Sequence, residues 1–217
     1  LEGLAGHTRD YPSGVDLVHD GQLEPAAYVL REGWTCAYKM LSSGERLIIG
    51  FQIQGDILGL RTVLLGRSDH NIQPITKIRA AKLIKGSLTE SFNTPSDLRA
   101  LLRASALMNE SMMIERLVSL GRRDATQRIL LFLLECWSRL RKVGLADDTG
   151  YPCPLSQYHL ADALGMSAVH VNRVLGKLRK DGVLTFRKGH VRFDDLAGAL
   201  ALTGFNPSYL DCGDVVR

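Results

Sequence analysis

The sequence predicts an α+β chain in three parts: an N-terminal rolled β-domain, a long central helix and a C-terminal winged helix-turn-helix. Three observations carry this. Residues 11–83 fall into short apolar runs broken by Gly, Pro and Asp, the rhythm of a sandwich or rolled barrel whose strands close on one another. Residues 98–120 place apolar side chains three and four apart, as a helix does. Residues 154–195 read as two short helices about a glycine, followed by a basic hairpin. The division that follows is 1–95, 96–121 and 122–217.

In the first part the likeliest strands are Val15–Leu17, Tyr28–Leu30, Ala37–Met40, Leu47–Ile49 and Ile57–Leu58, with Ile72, Ile75 and Ile78–Leu83 continuing the pattern. Gly21, Gly33, Ser43-Gly44 and Gly55-Asp56 stand between them as turn formers. Arg61–Asn71 is the longest polar interruption. Pro95-Ser96-Asp97 then announces a helix, capped by Ser96 or Asp97. Leu98, Leu101, Ser105, Met108 and Met112 form a seam along it, and Leu107, Ile114 and Leu117 form a second apolar line. Two apolar faces on one helix suggest that one of them meets a second copy of the chain, and the seam is the expected dimer interface. The competing reading packs both faces inside a single chain. A Met-bearing seam is adaptable, so it suits a contact that repacks.

Gly121 is expected to break this helix, and Asp124–Val143 to form another, apolar over most of its circumference. Gly144–Pro154 reads as a surface connection, Leu196–Leu202 as a short helix, and the remainder as a polar tail.

The helix-turn-helix and its hairpin are specified residue by residue. Ser156 can cap a first helix carrying Leu160, Ala163 and Leu164 on one face. Gly165 supplies the turn, because a residue without Cβ takes the left-handed conformation at no steric cost. Ser167 caps a second helix whose buried stripe is Val171, Val174, Leu175 and Leu178, leaving Ala168, Val169, His170, Asn172, Arg173 and Lys177 to point elsewhere. Val183–Phe193 alternates about Lys188-Gly189 as a short hairpin would.

Charge is concentrated on this unit. The net charge of the 217 residues is +4, and residues 121–217 hold all of it, with fourteen Lys/Arg against ten Asp/Glu. Between Gly165 and Arg192 the cations are Arg173, Lys177, Arg179, Lys180, Arg187, Lys188 and Arg192, against the single anion Asp181. Such a surface suits a phosphate backbone, whose counterions it displaces. A solvated helical face is the bland alternative, but here the caps, the turn glycine and the basic hairpin coincide.

Other classes find little support. No apolar run approaches the roughly 20 residues of a membrane helix. Cys36, Cys136, Cys153 and Cys212 are scattered, with no C-x-x-C pair or zinc spacing, so no disulfide framework or metal site is expected and a reducing cytoplasm fits. No G-x-S-x-G, H-E-x-x-H or P-loop occurs, and no catalytic residues are expected. His159 is best read as a surface residue or phosphate contact. The chain begins Leu-Glu-Gly-Leu, so a short preceding segment is expected, and no signal peptide is evident.

This order of parts resembles the Crp/Fnr family of bacterial transcription regulators over nearly the whole chain. The likeness is most specific in LADALGMSAVHVNRVLGKLRKDGVL, at Leu160-Ala161, Gly165, Ser167, Val171, Arg173, Leu175, Leu178 and Gly182, and it extends to Gly55-Asp56 and Gly59. The resemblance implies a cyclic-nucleotide-binding-like β-roll of jelly-roll type, a homodimer, double-stranded DNA as partner and RNA polymerase as a further one. It also implies that Arg173 reads a guanine. Two other reading positions of the family fall on Ala168 and Val169, which can touch a thymine methyl but can neither donate to guanine nor accept from cytosine. Ser167, His170 and Asn172 are expected at phosphates or secondary base contacts. Arg187, Lys188 and Arg192 are expected on the backbone from the wing, and Ser156 and Lys177 join the DNA-contacting set.

The resemblance weakens at the effector site. After Gly59 the chain reads Leu60-Arg61, so the family's ribose-binding Glu is absent. Arg67-Ser68 resembles the phosphate-holding pair but lies close to Gly59 and precedes Asp69-His70, whose carboxylate repels an anion. Cyclic AMP is therefore not the expected effector. Cys36 alone cannot hold an iron–sulfur cluster. No cofactor is evident; haem on His7, His19 or His70, or a small-molecule effector, stays open. The expected function is a homodimeric, sequence-specific DNA-binding regulator. The alternative is a β-roll sensor or scaffold whose winged helix binds a protein partner.

Overall fold

The computed structural model describes residues 5–24, 26–83 and 97–211. Contacts divide the chain into two compact units, with the boundary after Ser111.

The first unit holds β1 (Ala5–Tyr11), β2 (Tyr28–Glu32), β3 (Thr35–Met40), β4 (Arg46–Gln52), β5 (Ile57–Leu58), α1 (Leu60–Leu65), β6 (Asn71–Pro74) and β7 (Ile78–Leu83). They form a four-stranded sheet in the order β1-β7-β2-β5 and a three-stranded sheet in the order β4-β3-β6. All the pairings within them are antiparallel. Successive side chains of a strand point to opposite faces, and β2 buries both. Tyr28 and Leu30 enter a core with Val18, Ala37, Leu58, Ile72, Ile78 and Ala80. Val29 enters a second core with Ala27, Ile57, Leu60, Leu83 and Leu102. Leu102 belongs to α2 (Asp97–Arg122), so the start of that helix is anchored on the β-roll.

Three expectations for this region are corrected. Ala5–Tyr11 is a strand, although its sequence is mostly polar, because β7 supplies its ladder. Val15–Leu17 is not a strand; the Leu17 amide donates to the Ile72 carbonyl at 2.8 Å, and the adjacent Val18 forms an isolated bridge with Ile72. The interval 61–71 is not a plain loop, because α1 occupies its first half. Gly59 opens α1 at φ 68°, where a Cβ would lie 2.8 Å from the Ala26 carbonyl oxygen, so this turn requires glycine.

Helix α2 does not stop at Gly121 but continues to Arg122. The expected cap Ser96 and the side chains of Asp97 and Leu98 lie outside the described residues. The end of the helix is satisfied from the next one. Arg128 donates to the Leu120 carbonyl at 2.8 Å and to the Arg123 carbonyl at 3.0 Å, filling acceptors that a helix C-terminus leaves open.

The second unit begins within α2 and continues with α3 (Ala125–Lys142), β8 (Gly150–Pro152), α4 (Gln157–Leu164), α5 (Ala168–Lys180), β9 (Leu184–Arg187), β10 (His190–Phe193), α6 (Leu196–Thr203) and a 3-10 turn, Pro207–Leu210. Asp124 and Gln127 cap α3 reciprocally. Every residue from Ile129 to Leu140 is buried, so α3 is the core helix of this unit. The Tyr151 hydroxyl donates to the Leu133 carbonyl at 2.9 Å, and Trp137 Nε1 donates to the Asp147 carbonyl at 2.7 Å.

Two further expectations change. Residues 144–154 are not only a surface connection: Gly150–Pro152 is an edge strand in the order β8-β10-β9, with Tyr151 and Cys153 fully buried. Proline is tolerated there because an edge strand has one unpaired side. The tail beyond α6 is pinned as far as Leu210, whose carbonyl accepts from Lys142 Nζ at 2.7 Å.

Candidate nucleic-acid interface

The interface is built on α4, α5 and the β9–β10 wing. Ser156 Oγ accepts from the His159 amide at 3.2 Å, and His159 Nδ1 accepts from the Ser156 amide at 3.1 Å, a reciprocal cap. His159 is thus held at the helix start rather than left free on the surface. Gly165 ends α4 at φ 62°, ψ 46°. Ser167 Oγ caps α5 by accepting from the His170 amide at 3.2 Å. Both serine oxygens serve as acceptors, which leaves each hydroxyl proton available for a phosphate oxygen.

On α5, Val171, Val174, Leu175 and Leu178 are buried as the spacing predicts. The opposite face starts at Ala168 and carries Val169, 81% exposed, with Asn172, Arg173 and Lys177 also exposed. His170 is half-buried. Gln157 and Tyr158 of α4 line a shallow open cleft together with Ala168, Val169, Asn172 and Arg173. Asn172 Nδ2 donates to Gln157 Oε1 at 3.0 Å. Gln157 and Tyr158 were not singled out in the sequence; the only signal was their place in the first turn after the Ser156 cap.

Lys177, Arg179 and Lys180 occupy the last turn of α5, where cations oppose the negative end of the helix dipole. The wing turns at Lys188 and Gly189, with φ of 50° and 71°, as a tight hairpin requires. Arg187 and Lys188 are exposed at its tip. Arg192 differs from them: its guanidinium lies 2.7 Å from Asp194 Oδ1, and Asp194 also accepts from the Thr185 hydroxyl at 2.7 Å. The basic wing tip therefore consists of Arg187 and Lys188.

In the first unit, Gly55-Asp56 forms a turn in which Asp56 Oδ2 accepts from the Ile53 amide at 2.8 Å. Arg61 pairs with Asp69 at 2.9 Å, and His70 Nδ1 lies 2.8 Å from the other Asp69 oxygen. Hydrogen bonding from Arg61, with a further contribution from His70, holds the Asp69 carboxyl at about 2, so it is an anion at neutral pH. Ser68 is buried and donates to the His70 carbonyl at 2.6 Å. Its hydroxyl is therefore committed inward and beside a carboxylate, which is the wrong surrounding for a phosphate. Among the other haem candidates, His7 is exposed and His19 lies 3.6 Å from Asp16.

Residues 8–94 match the model of the cyclic nucleotide-binding domain, and residues 127–199 match that of the Crp-like helix-turn-helix domain. The chain belongs to the Crp/Fnr family of transcription regulators. This Crp/Fnr chain is 29% identical over 197 residues to the nitrogen fixation regulation protein FixK of Bradyrhizobium diazoefficiens, covering 91% of this chain and 82% of that protein. It is 28% identical over 205 residues to the transcriptional activatory protein AadR of Rhodopseudomonas palustris, covering 92% and 84%. The structure of FixK2 from Bradyrhizobium japonicum superposes with a TM-score of 0.83 at 22% identity, covering 94% of this chain and all of that one, and shows the same fold. The Crp/Fnr chain is a DNA-binding transcription regulator and not an enzyme.

Proposed function

We propose that the chain acts as a homodimer whose two α5 helices enter successive major grooves of a near-palindromic operator, about one helical turn apart. The observation that carries this is the exposed face of α5, with Arg173 beside Val169 and the cations Arg187 and Lys188 at the wing tip. Arg173 reads a guanine, Ala168 and Val169 touch thymine methyls, and Ser156, Ser167, His170, Lys177, Arg187 and Lys188 hold the backbone. The functional division is a sensor domain over residues 1–95, a dimerisation helix over 96–121 and a DNA-binding domain over 122–217.

The dimer seam expected at Leu98, Leu101, Ser105, Met108 and Met112 is joined by a second candidate. Ser105, Met108 and Met112 are half-buried in the single chain, whereas Leu107, Met113, Ile114, Leu117 and Val118 are 45–68% exposed along α2. Apolar residues left in water along a helix favour a second copy as their cover. The more exposed line is therefore our preferred interface.

The β-roll senses something other than cyclic AMP, or nothing. The Arg61–Asp69–His70 cluster and the inward Ser68 hydroxyl support this reading. The family likeness alone supports RNA polymerase as a further partner. No helix among the described residues is long and apolar enough to cross a membrane; the family likeness is what supports a cytoplasmic location.

The experiment is selection of a random duplex pool on the purified chain, followed by sequencing. A two-fold-symmetric enriched motif supports the dimeric operator reading. Tight binding to an acidic protein with no enrichment of any duplex would replace it with the protein-partner reading.

A further inference from the structure

We infer that Asn172 reads an adenine next to the guanine read by Arg173, and that Gln157 of the preceding helix is the positioning residue that aims it. The inference rests on the DNA-binding reading of α5 and goes beyond it by assigning a base to a residue pair.

The argument starts from the carboxamide. Asn172 Nδ2 donates one hydrogen to Gln157 Oε1 at 3.0 Å. A primary amide carries one N–H anti and one syn to its carbonyl oxygen; with the anti N–H given to Gln157, the syn N–H and Oδ1 stay side by side as donor and acceptor. On the major-groove edge only adenine presents an acceptor next to a donor, N7 beside the N6 amino group. Guanine presents two acceptors, cytosine one donor, and thymine one acceptor with a methyl group. The free edge of Asn172 therefore matches adenine in two bonds and each other base in at most one.

Gln157 makes that match selective. A free asparagine side chain rotates, and its ends exchange donor and acceptor. In the structure the Nδ2 end is turned to Gln157 Oε1, so the Oδ1 end faces away from Gln157. The tether also spans the helix-turn-helix, from the first turn of α4 to the second turn of α5, so it orients the amide against two rigid elements. Gln157 and Asn172 line the same cleft as Val169 and Arg173. Successive residues on one turn of a helix reach neighbouring base pairs, which places the adenine beside the guanine of Arg173.

The test uses the full chain, random-pool selection and base-by-base competition for the parent, Asn172→Ala, Gln157→Ala and Gln157→Glu. The parent motif is expected to contain an adenine adjacent to an Arg173-dependent guanine. Asn172→Ala should lose the adenine preference by between about 5-fold and 150-fold, the range of a bidentate base contact, with the guanine preference kept. Gln157→Ala should lower the same adenine preference in part. Gln157→Glu, which keeps an acceptor for Asn172 Nδ2, should restore it while weakening all duplexes alike through its charge. Thermal unfolding of each variant checks the fold. An adenine preference that survives Gln157→Ala, or a loss spread evenly over all sequences, overturns the inference. A parent motif with the guanine but no adjacent adenine overturns it too and leaves the regulator reading intact. No motif at all overturns both.

Discussion

The Tyr209 hydroxyl donates to Glu135 Oε2 at 3.0 Å, joining the C-terminal 3-10 turn to the middle of the core helix α3. Glu135 is only 6% exposed, and its other oxygen lies 3.6 Å from the Arg116 guanidinium on α2. Arg116 in turn stacks over the Phe132 ring at 5.7 Å. A buried carboxylate is tolerable only when its lone pairs are answered. The tail of the chain is thus part of the support for the α2–α3 junction.

Tyr209→Phe removes one partner of Glu135 and leaves the ring in place. Loss of about 1–3 kcal/mol follows from the unanswered oxygen, to be read as a lower urea midpoint at constant slope. Burial, reinforced by the neighbouring Glu135, pushes the Tyr209 hydroxyl above its ordinary range, so it stays protonated through neutral pH. The difference between parent and variant should therefore not change between pH 6 and 9 through ionisation of the phenol.

The parts of this site that were legible in the sequence are those set by local chemistry. Ser156, Gly165, Ser167 and the Lys188-Gly189 turn act within four residues of themselves, and the structure uses each as its type suggests. What escaped depends on distant partners. The strand β1 is polar and takes its ladder from β7, more than sixty residues on. The strand β8 contains Gly150 and Pro152, both weak strand formers, and exists because β10 pairs with it. The carbonyls at the end of α2 are answered by Arg128 from the next helix, so Gly121 does not end it. The Gln157–Asn172 bond joins two helices that the spacing places but does not aim.

The exposed line on α2 predicts the oligomeric state. Ile114→Arg puts a charge on a residue 56% exposed in the single chain, so it costs the protomer little and opposes a self-complementary apolar contact. Sedimentation should show the mass halved, with helical content unchanged. If Ile114→Arg stays dimeric and Ser105→Arg dissociates, the interface lies on the Leu98–Met112 seam instead.

Three cysteines are predicted to be inert in the folded chain. Cys36, Cys136 and Cys153 are buried thiols. Burial pushes the Cys153 thiol up to about 12 and raises that of Cys136 well above its usual value. The thiolate is the reactive form, so alkylation of these three at pH 8 should be slow without denaturant and complete in it. Because the folded Cys136 and Cys153 thiols stay protonated, raising the pH to 9 should barely increase their native labelling. Rapid native modification of Cys153, located by peptide mass mapping, would sink this account of the core.

Arg173 and Lys188 should separate specificity from affinity. Arg173 sits on the exposed face of α5 and Lys188 at the wing tip. A bidentate arginine–guanine contact discriminates by about 1–3 kcal/mol, so Arg173→Ala should flatten the preference at one base pair of each half-site while weak, salt-sensitive binding persists. Lys188 occupies a left-handed backbone position, where Asn is better tolerated than most residues. Lys188→Asn therefore removes the charge and keeps the turn. All duplexes should weaken alike, and the log–log salt dependence should become shallower by about one unit per lost phosphate contact. Titrations of cognate and scrambled duplexes at several salt concentrations measure both effects together. A loss confined to the cognate duplex for Lys188→Asn would move that lysine from the backbone to a base and give the wing a reading role.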